Sequence, residues 1–257
     1  MEFQNILIDV KDGLATIIIN RPKQLNALNK ATIKDLNKGL LTLKEDNNVR
    51  CIILTGSGEK AFVAGADIKE FAHFGIEEGK KLAQIGQEKL FNLIETFPKP
   101  VIAAINGFAL GGGLELAMSC HFRVASENAK MGLPEVSLGV IPGYGGTQRL
   151  PQLIGKGKAM ELITTAKMIN AEEALQYHLV NYVVSIEDLL LTCKKIATAT
   201  LNNSPKAITA AINAVNAGFD NSINGFDKEI EEFGNCFGND EFKEGTSAFM
   251  EKRKPNY

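Results

Sequence analysis

A series of short apolar runs constrains this chain more than any other feature: Ile6–Val10, Leu14–Ile19, Val49–Thr55 and Val101–Ile105. Runs of this length, apolar and β-branched, suit strands, the last two buried ones. Lys11-Asp12-Gly13 separates the first two, and Asp-Gly between such runs signals a hairpin. Gly56-Ser57-Gly58 closes the third run and Asn106-Gly107 the fourth. Helical patterns lie between the runs. Asn29 is placed to cap a helix whose Ile33, Leu36, Leu40 and Leu43 form a stripe. A long helix is predicted over 77–96, ending before Pro98, a shorter one over Leu114–Met118, and a further strand over His121–Ala125. This alternation continues to about residue 185 without a linker, which predicts a single α/β unit.

The last third changes character. Asn170 caps a helix from Ala171, Ser204-Pro205 supplies a cap and a first-turn proline, and Asp240 is placed to cap the final helix. The expected division is a core over 1–190 and a helical region over 191–257. Phe226, Phe233, Phe237, Phe242 and Phe249 in that region suit either core packing or a subunit interface.

The chain has 257 residues, 45% hydrophobic and 23% charged, which excludes a disordered segment, a collagen-like fibre and a disulfide-dense miniprotein. Lys+Arg 28 against Asp+Glu 30 gives net charge −2, so no global basic field gathers nucleic acid or anionic lipid. Cys51, Cys120, Cys193 and Cys236 form no CxxC, and His73, His121 and His178 form no HExxH, so no metal site is expected. Met1, Glu2, Phe3 and Gln4 lack a basic segment leading into an apolar stretch, and no apolar run spans a bilayer. A cytoplasmic location is expected.

Three stretches combine glycine loops with polar residues: Val63–Lys69, Asn106–Glu115, and Leu133-Pro134-Glu135 through Pro142–Arg149. Gly111-Gly112-Gly113 allows a ligand atom close to exposed backbone N–H groups, and a helix starting there favours a developing anion. Glu115, one turn further on, would titrate upward beside such a site and could act as acid or base. Equally, the glycines could serve tight packing and Glu115 the helix N-terminus. Glu135, held stiffly after Pro134, is on its own a solvated or paired carboxylate. Beside Glu115 it makes a pair able to divide proton delivery from orientation of a water. Gln148 stands where a dinucleotide fingerprint from Gly143 would need glycine, and no phosphate-loop motif occurs.

Together these stretches resemble the crotonase (enoyl-CoA hydratase/isomerase) family. The resemblance runs from Asn20-Arg21-Pro22-Lys23 and Asn26-Ala27-Leu28, through the three motifs, to Phe249-Met250-Glu251-Lys252-Arg253. It implies an α/β fold, a crotonase-like spiral of ββα units with a helical C-terminal trimerisation region, and assembly as a homotrimer or homohexamer. It also implies an oxyanion hole from the backbone N–H groups of Ala66 and Gly112 around an acyl-CoA thioester carbonyl. Glu115 and Glu135 match the family's two catalytic glutamates, and retention of both points to hydration of a trans-2-enoyl-CoA, short-chain by first choice. Glu115 would mainly take the water proton and Glu135 would exchange the α-carbon proton.

Coenzyme A would enter as part of the substrate, with no other cofactor. Lys23 to Leu25, and Ala64, Gly65, Ala66, Asp67 and Ile68, would line its path. Lys69 is a further contact, and Phe249 and Lys252 would reach over from a neighbouring subunit. His121 and Leu133 depart from common patterns, aspartate and glutamine respectively, without removing a proposed catalytic group. Two rival readings remain: a double-bond isomerase on the same scaffold, and RNA binding through Lys30, Lys34 and Lys38. Asp35, Glu45 and Asp46 dilute the charge of that lysine face.

Overall fold

In the computed structural model, which describes residues 3–257, the first hairpin forms at the Asp-Gly pair. Met1 and Glu2, part of the N-terminal reading above, lie outside the described residues. β1 (Ile6–Lys11) and β2 (Leu14–Ile19) pair antiparallel through Asp12 and Gly13, both left-handed at φ 51° and 82°, a turn whose twist matches paired strands. Asn29 caps α1 (Lys30–Glu45), accepting from the Thr32 N–H at 2.8 Å. β3 (Cys51–Gly56) and β4 (Ala61–Ala64) follow. The helix expected over 77–96 is α2 (Ile76–Gly86), continued through a wide π-type turn, Gln87–Phe91, into α3 (Asn92–Glu95).

Next come β5 (Val101–Ile105), β6 (Phe108–Leu110), α4 (Gly112–Ser119), β7 (Phe122–Ser126) and β8 (Lys130–Gly132). Then follow α5 (Gly146–Ile154), α6 (Lys156–Thr165), β9 (Ile169–Asn170), α7 (Ala171–Gln176) and β10 (Tyr182–Val184). The chain ends with α8 (Leu189–Leu201), α9 (Pro205–Ala217), α10 (Gly225–Cys236) and α11 (Asp240–Met250). Asn239, and not Asp240, caps α11, accepting from the Phe242 N–H at 3.0 Å, while Asp240 occupies the first turn. Both side chains suit a cap; only the extended backbone at Asn239 decides which one does it.

The strands form two sheets, ordered β1-β2-β3-β5-β7-β10 and β4-β6-β8-β9. Each turn of chain gives one strand to the large sheet, the next to the small sheet, then a helical segment: β3 and β4, β5 and β6, β7 and β8. This is the expected spiral of ββα units. The small sheet is not legible as such in the sequence, since β6 and β8 are three residues each.

Alternate residues of the central strands feed two cores, as strand geometry requires. Ile52, Leu54, Val101, Ala103 and Ile105 join the main core with α1 and the small sheet. Cys51, Ile53, Ile102 and Ala104 face Leu189, Cys193 and Ala197 of α8. Position 190 therefore falls inside a helix that covers the large sheet, and α8 packs with the core. The polar loop between β3 and β4 is held from inside. Asn106 donates to the carbonyls of Gly56 and Ala61, and Asn26 to those of Ser57 and Ala61. Among the described residues no helix is long and apolar enough to cross a membrane.

Candidate active site

The three consecutive glycines have different tasks. Gly111, at φ 51° and ψ −126°, adopts a backbone that residues with a Cβ avoid. A Cβ on Gly113 would lie 1.9 Å from the Val63 carbonyl oxygen, so only glycine lets α4 dock this closely on β4. Gly112 lies between them at the first turn of α4, where N–H groups have no partner within the helix. Ala66 approaches from another part of the chain. The Leu28 N–H donates to Gly65 O and the Asp67 N–H to Leu28 O, a pairing that passes over the Ala66 N–H. A Cβ on Gly112 would lie 3.8 Å from Ala66 N, so the two backbone segments meet.

Glu115 follows on α4, 1% exposed. Its Oε1 accepts from the backbone N–H groups of Tyr144 and Gly146, each at 2.8 Å. Gly146 opens α5, so this carboxylate caps a helix other than its own. Burial pushes the Glu115 carboxyl up to about 7, and nearby Glu135 adds to the rise. The Gly146 and Tyr144 N–H groups and the Arg149 guanidinium hold it down. Arg149 is itself buried, forked onto Glu95 at 2.9 and 2.6 Å and donating to the Tyr144 carbonyl at 2.9 Å.

Glu135 begins a short 3-10 turn after Pro134. A Cβ on Gly111 would meet its Oε1 at 2.8 Å, so the carboxyl rests on the glycine turn that opens α4. Its Oε2 is buried with no hydrogen-bond partner, and burial raises its pKa. A buried oxygen in that state is costly unless a ligand atom completes it. The structure thus brings together Ala66, Gly112 and Glu115 of α4, and Glu135, from three separate parts of the sequence.

The residues expected along the coenzyme path also converge. The Ala64 N–H donates to Leu25 O at 3.0 Å, which sets Lys23–Leu28 alongside Ala64–Asp67. A cleft of about 360 Å³ has Pro22, Lys23, Leu25 and Asn26 on one side and Ser57–Ala61 on the other. The Asp67 carboxylate is engaged by Arg21 at 3.2 Å, Gly65 sits at φ 95°, and Ile68 and Lys69 are exposed. Phe249, in the last turn of α11, and Lys252 just after it are both exposed, Phe249 85% so. Tyr144, Gly146 and Arg149 received no individual role from the sequence. Their motif was visible, but its contact with Glu115 spans 29 to 31 residues.

The family profile described as enoyl-CoA hydratase/isomerase matches residues 9–257. The chain belongs to that family. The crotonyl-CoA hydratase of Syntrophomonas wolfei is 48% identical to it, covering 100% of this chain and 99% of the relative. The short-chain-enoyl-CoA hydratase of Clostridium acetobutylicum is also 48% identical, over 99% and 97%. The crystal structure of an enoyl-CoA hydratase from Bacillus anthracis superposes with TM-score 0.93 at 42% identity, covering 99% of each chain. This member of the enoyl-CoA hydratase/isomerase family thus shares fold and full length with proteins named as hydratases.

Proposed function

We propose that the protein is an enoyl-CoA hydratase, adding water reversibly across the double bond of a trans-2-enoyl-CoA, crotonyl-CoA first, to give the 3-hydroxyacyl-CoA. One observation carries the reading: two carboxyls whose pKa values burial raises converge beside the first turn of α4 and the Ala66 backbone, which meet at Gly112. The thioester oxygen accepts from the Ala66 and Gly112 N–H groups, which stabilise the enolate-like charge formed when water attacks. Such a donor is typically worth about 10²–10³ in rate. Glu115 uses Oε1 for its two backbone bonds, which leaves Oε2 to take a proton from the attacking water. That water's oxygen bonds to C3, and Glu135 delivers a proton to C2. A carboxyl near 7 is matched to proton transfer in both directions near neutral pH.

Coenzyme A is carried along Lys23, Leu25 and Ala64–Lys69, and Phe249 and Lys252 come from a neighbouring copy in a homotrimer or a hexamer of two trimers. A cytoplasmic location fits these substrates.

The test is loss of the conjugated crotonyl-CoA chromophore with time. The parent hydrates crotonyl-CoA, and Glu115→Gln and Glu135→Gln each lower kcat/KM by about 10²–10⁴. A folded parent that leaves crotonyl-CoA intact yet converts a 3-enoyl-CoA to the conjugated ester, without water entering the product, would establish the isomerase instead.

A further inference from the structure

The site has a wall that neither the mechanism nor the family motif calls for, the aromatic ring of Tyr144. We propose that this ring ends the acyl pocket and restricts the enzyme to short acyl groups, an inference that rests on the hydratase reading above. The ring is 7% exposed and wedged between α4 and the end of α2. On one edge, a Cβ placed on Gly112 would lie 3.4 Å from its Cδ2, so the ring stands about one side-chain carbon beyond the glycine proposed to hold the thioester oxygen. On the other edge, a Cβ on Gly86 would lie 2.2 Å from its Cε1. Glycine at that point of the helix is what admits a ring at all. Phe91, in the π-type turn, stacks on it with centroids 4.7 Å apart and planes 13° from parallel.

The ring's main chain is fixed as firmly. The Tyr144 N–H is bonded to Glu115 and its carbonyl to Arg149. Gln87 holds the neighbouring Gly143 carbonyl at 2.8 Å. Moving the ring aside would therefore disturb the Glu115 carboxylate or open the Phe91 stack. An acyl chain whose carbonyl sits at Gly112 and whose C3 faces Glu115 meets this ring within its first few carbons. A four-carbon enoyl group fits short of it and an eight-carbon one does not.

The experiment compares kcat/KM for crotonyl-CoA and trans-2-octenoyl-CoA in the parent, Tyr144→Ala, Tyr144→Leu and Tyr144→Phe, each checked by thermal melting. The parent favours crotonyl-CoA by about tenfold or more, the scale on which a packed pocket rejects extra methylenes. Tyr144→Ala shifts the octenoyl-to-crotonyl ratio toward the longer ester by at least about tenfold. Tyr144→Leu, which keeps an apolar group against Phe91, shifts it the same way by less. Tyr144→Phe keeps the parent's ratio, because the ring and not its hydroxyl forms the wall. A parent that handles both esters equally, or folded Ala and Leu variants with the parent's ratio, overturns the proposal. A folded parent inert toward both esters overturns the hydratase reading itself, a distinct result.

Discussion

Glu115 is where two opposing forces are most finely set. Burial raises its carboxyl to about 7, while two backbone N–H groups and Arg149 hold it from rising further. The folded state therefore binds this proton more tightly than the unfolded chain, whose carboxyl keeps an ordinary value near 4.5. The sign follows: this group's favourable contribution is present below about 4.5 and is lost as pH rises through about 7. Glu115→Gln removes that loss. Its stability relative to the parent should improve from pH 5 to pH 8 by up to about 3 kcal/mol, or roughly 6–12 °C in Tm. Melting curves for both proteins at the two pH values check this, and a gap independent of pH would show that Glu115 titrates normally. At this scale the sequence revealed the right residues but not their partners. Glu115 was open to two readings because its own helix N-terminus was all that local spacing offered. The structure instead sets it against the start of α5, a contact no periodicity encodes. His121 was another residue without a reason. Its Nδ1 accepts from the Val101 N–H at 2.9 Å, Nε2 lies 3.2 Å from Glu95 O, and burial lowers its pKa to about 4, so it serves as a neutral strut.

Among the elements, α4 shows most clearly how packing positions chemistry. Its N-terminus is aimed by one glycine with no room for a Cβ against backbone and a neighbouring glycine whose Cβ would find ordinary contacts, and substitution separates the two. Gly113→Ala would drive a methyl into the Val63 carbonyl, an overpacking cost of about 3 kcal/mol or more, lowering Tm by roughly 6–12 °C. Gly112→Ala places its methyl 3.4 Å from the Tyr144 ring, keeps the N–H, and should melt within a few degrees of the parent while losing activity through crowding of the thioester. Equal melting losses for both would contradict this assignment. The large-sheet strands β1, β2, β3, β5 and β7 were readable, but the three-residue β10 was not; strands such as β3 and β5, buried throughout, form apolar runs. β6 and β8 were not, since three residues carry no periodicity and their pairing is decided by the spiral itself. The same limit explains the π-type turn at Gln87–Phe91, which leaves the helical pattern intact in sequence yet presents Phe91 to Tyr144.

For the whole molecule, the C-terminal helices show a surface that a lone chain has no use for. Phe226, Ile230, Phe233 and Phe237 lie along one side of α10 and its end at helical spacing, and are 80%, 70%, 66% and 51% exposed. Phe249 and Met250 at the end of α11 are 85% and 75% exposed. An apolar stripe of this kind marks an interaction site on a water-facing protein, and self-association is the partner consistent with the proposed trimer. Sedimentation should therefore give three or six times the 27.9 kDa chain mass. The double variant Phe226→Glu, Phe233→Glu places charge in the stripe, where an unpaired buried charge is strongly unfavourable, and should sediment as the single chain. Both carboxylates of the site lie within one chain, so dissociation alone would spare them. Yet if Phe249 and Lys252 complete a neighbour's coenzyme path, activity must fall with mass. In the dissociated variant the KM for crotonyl-CoA should then rise more than kcat falls, since binding is lost and the proton-transfer groups stay in place. A single-chain parent with full activity would contradict both the assembly and the shared site.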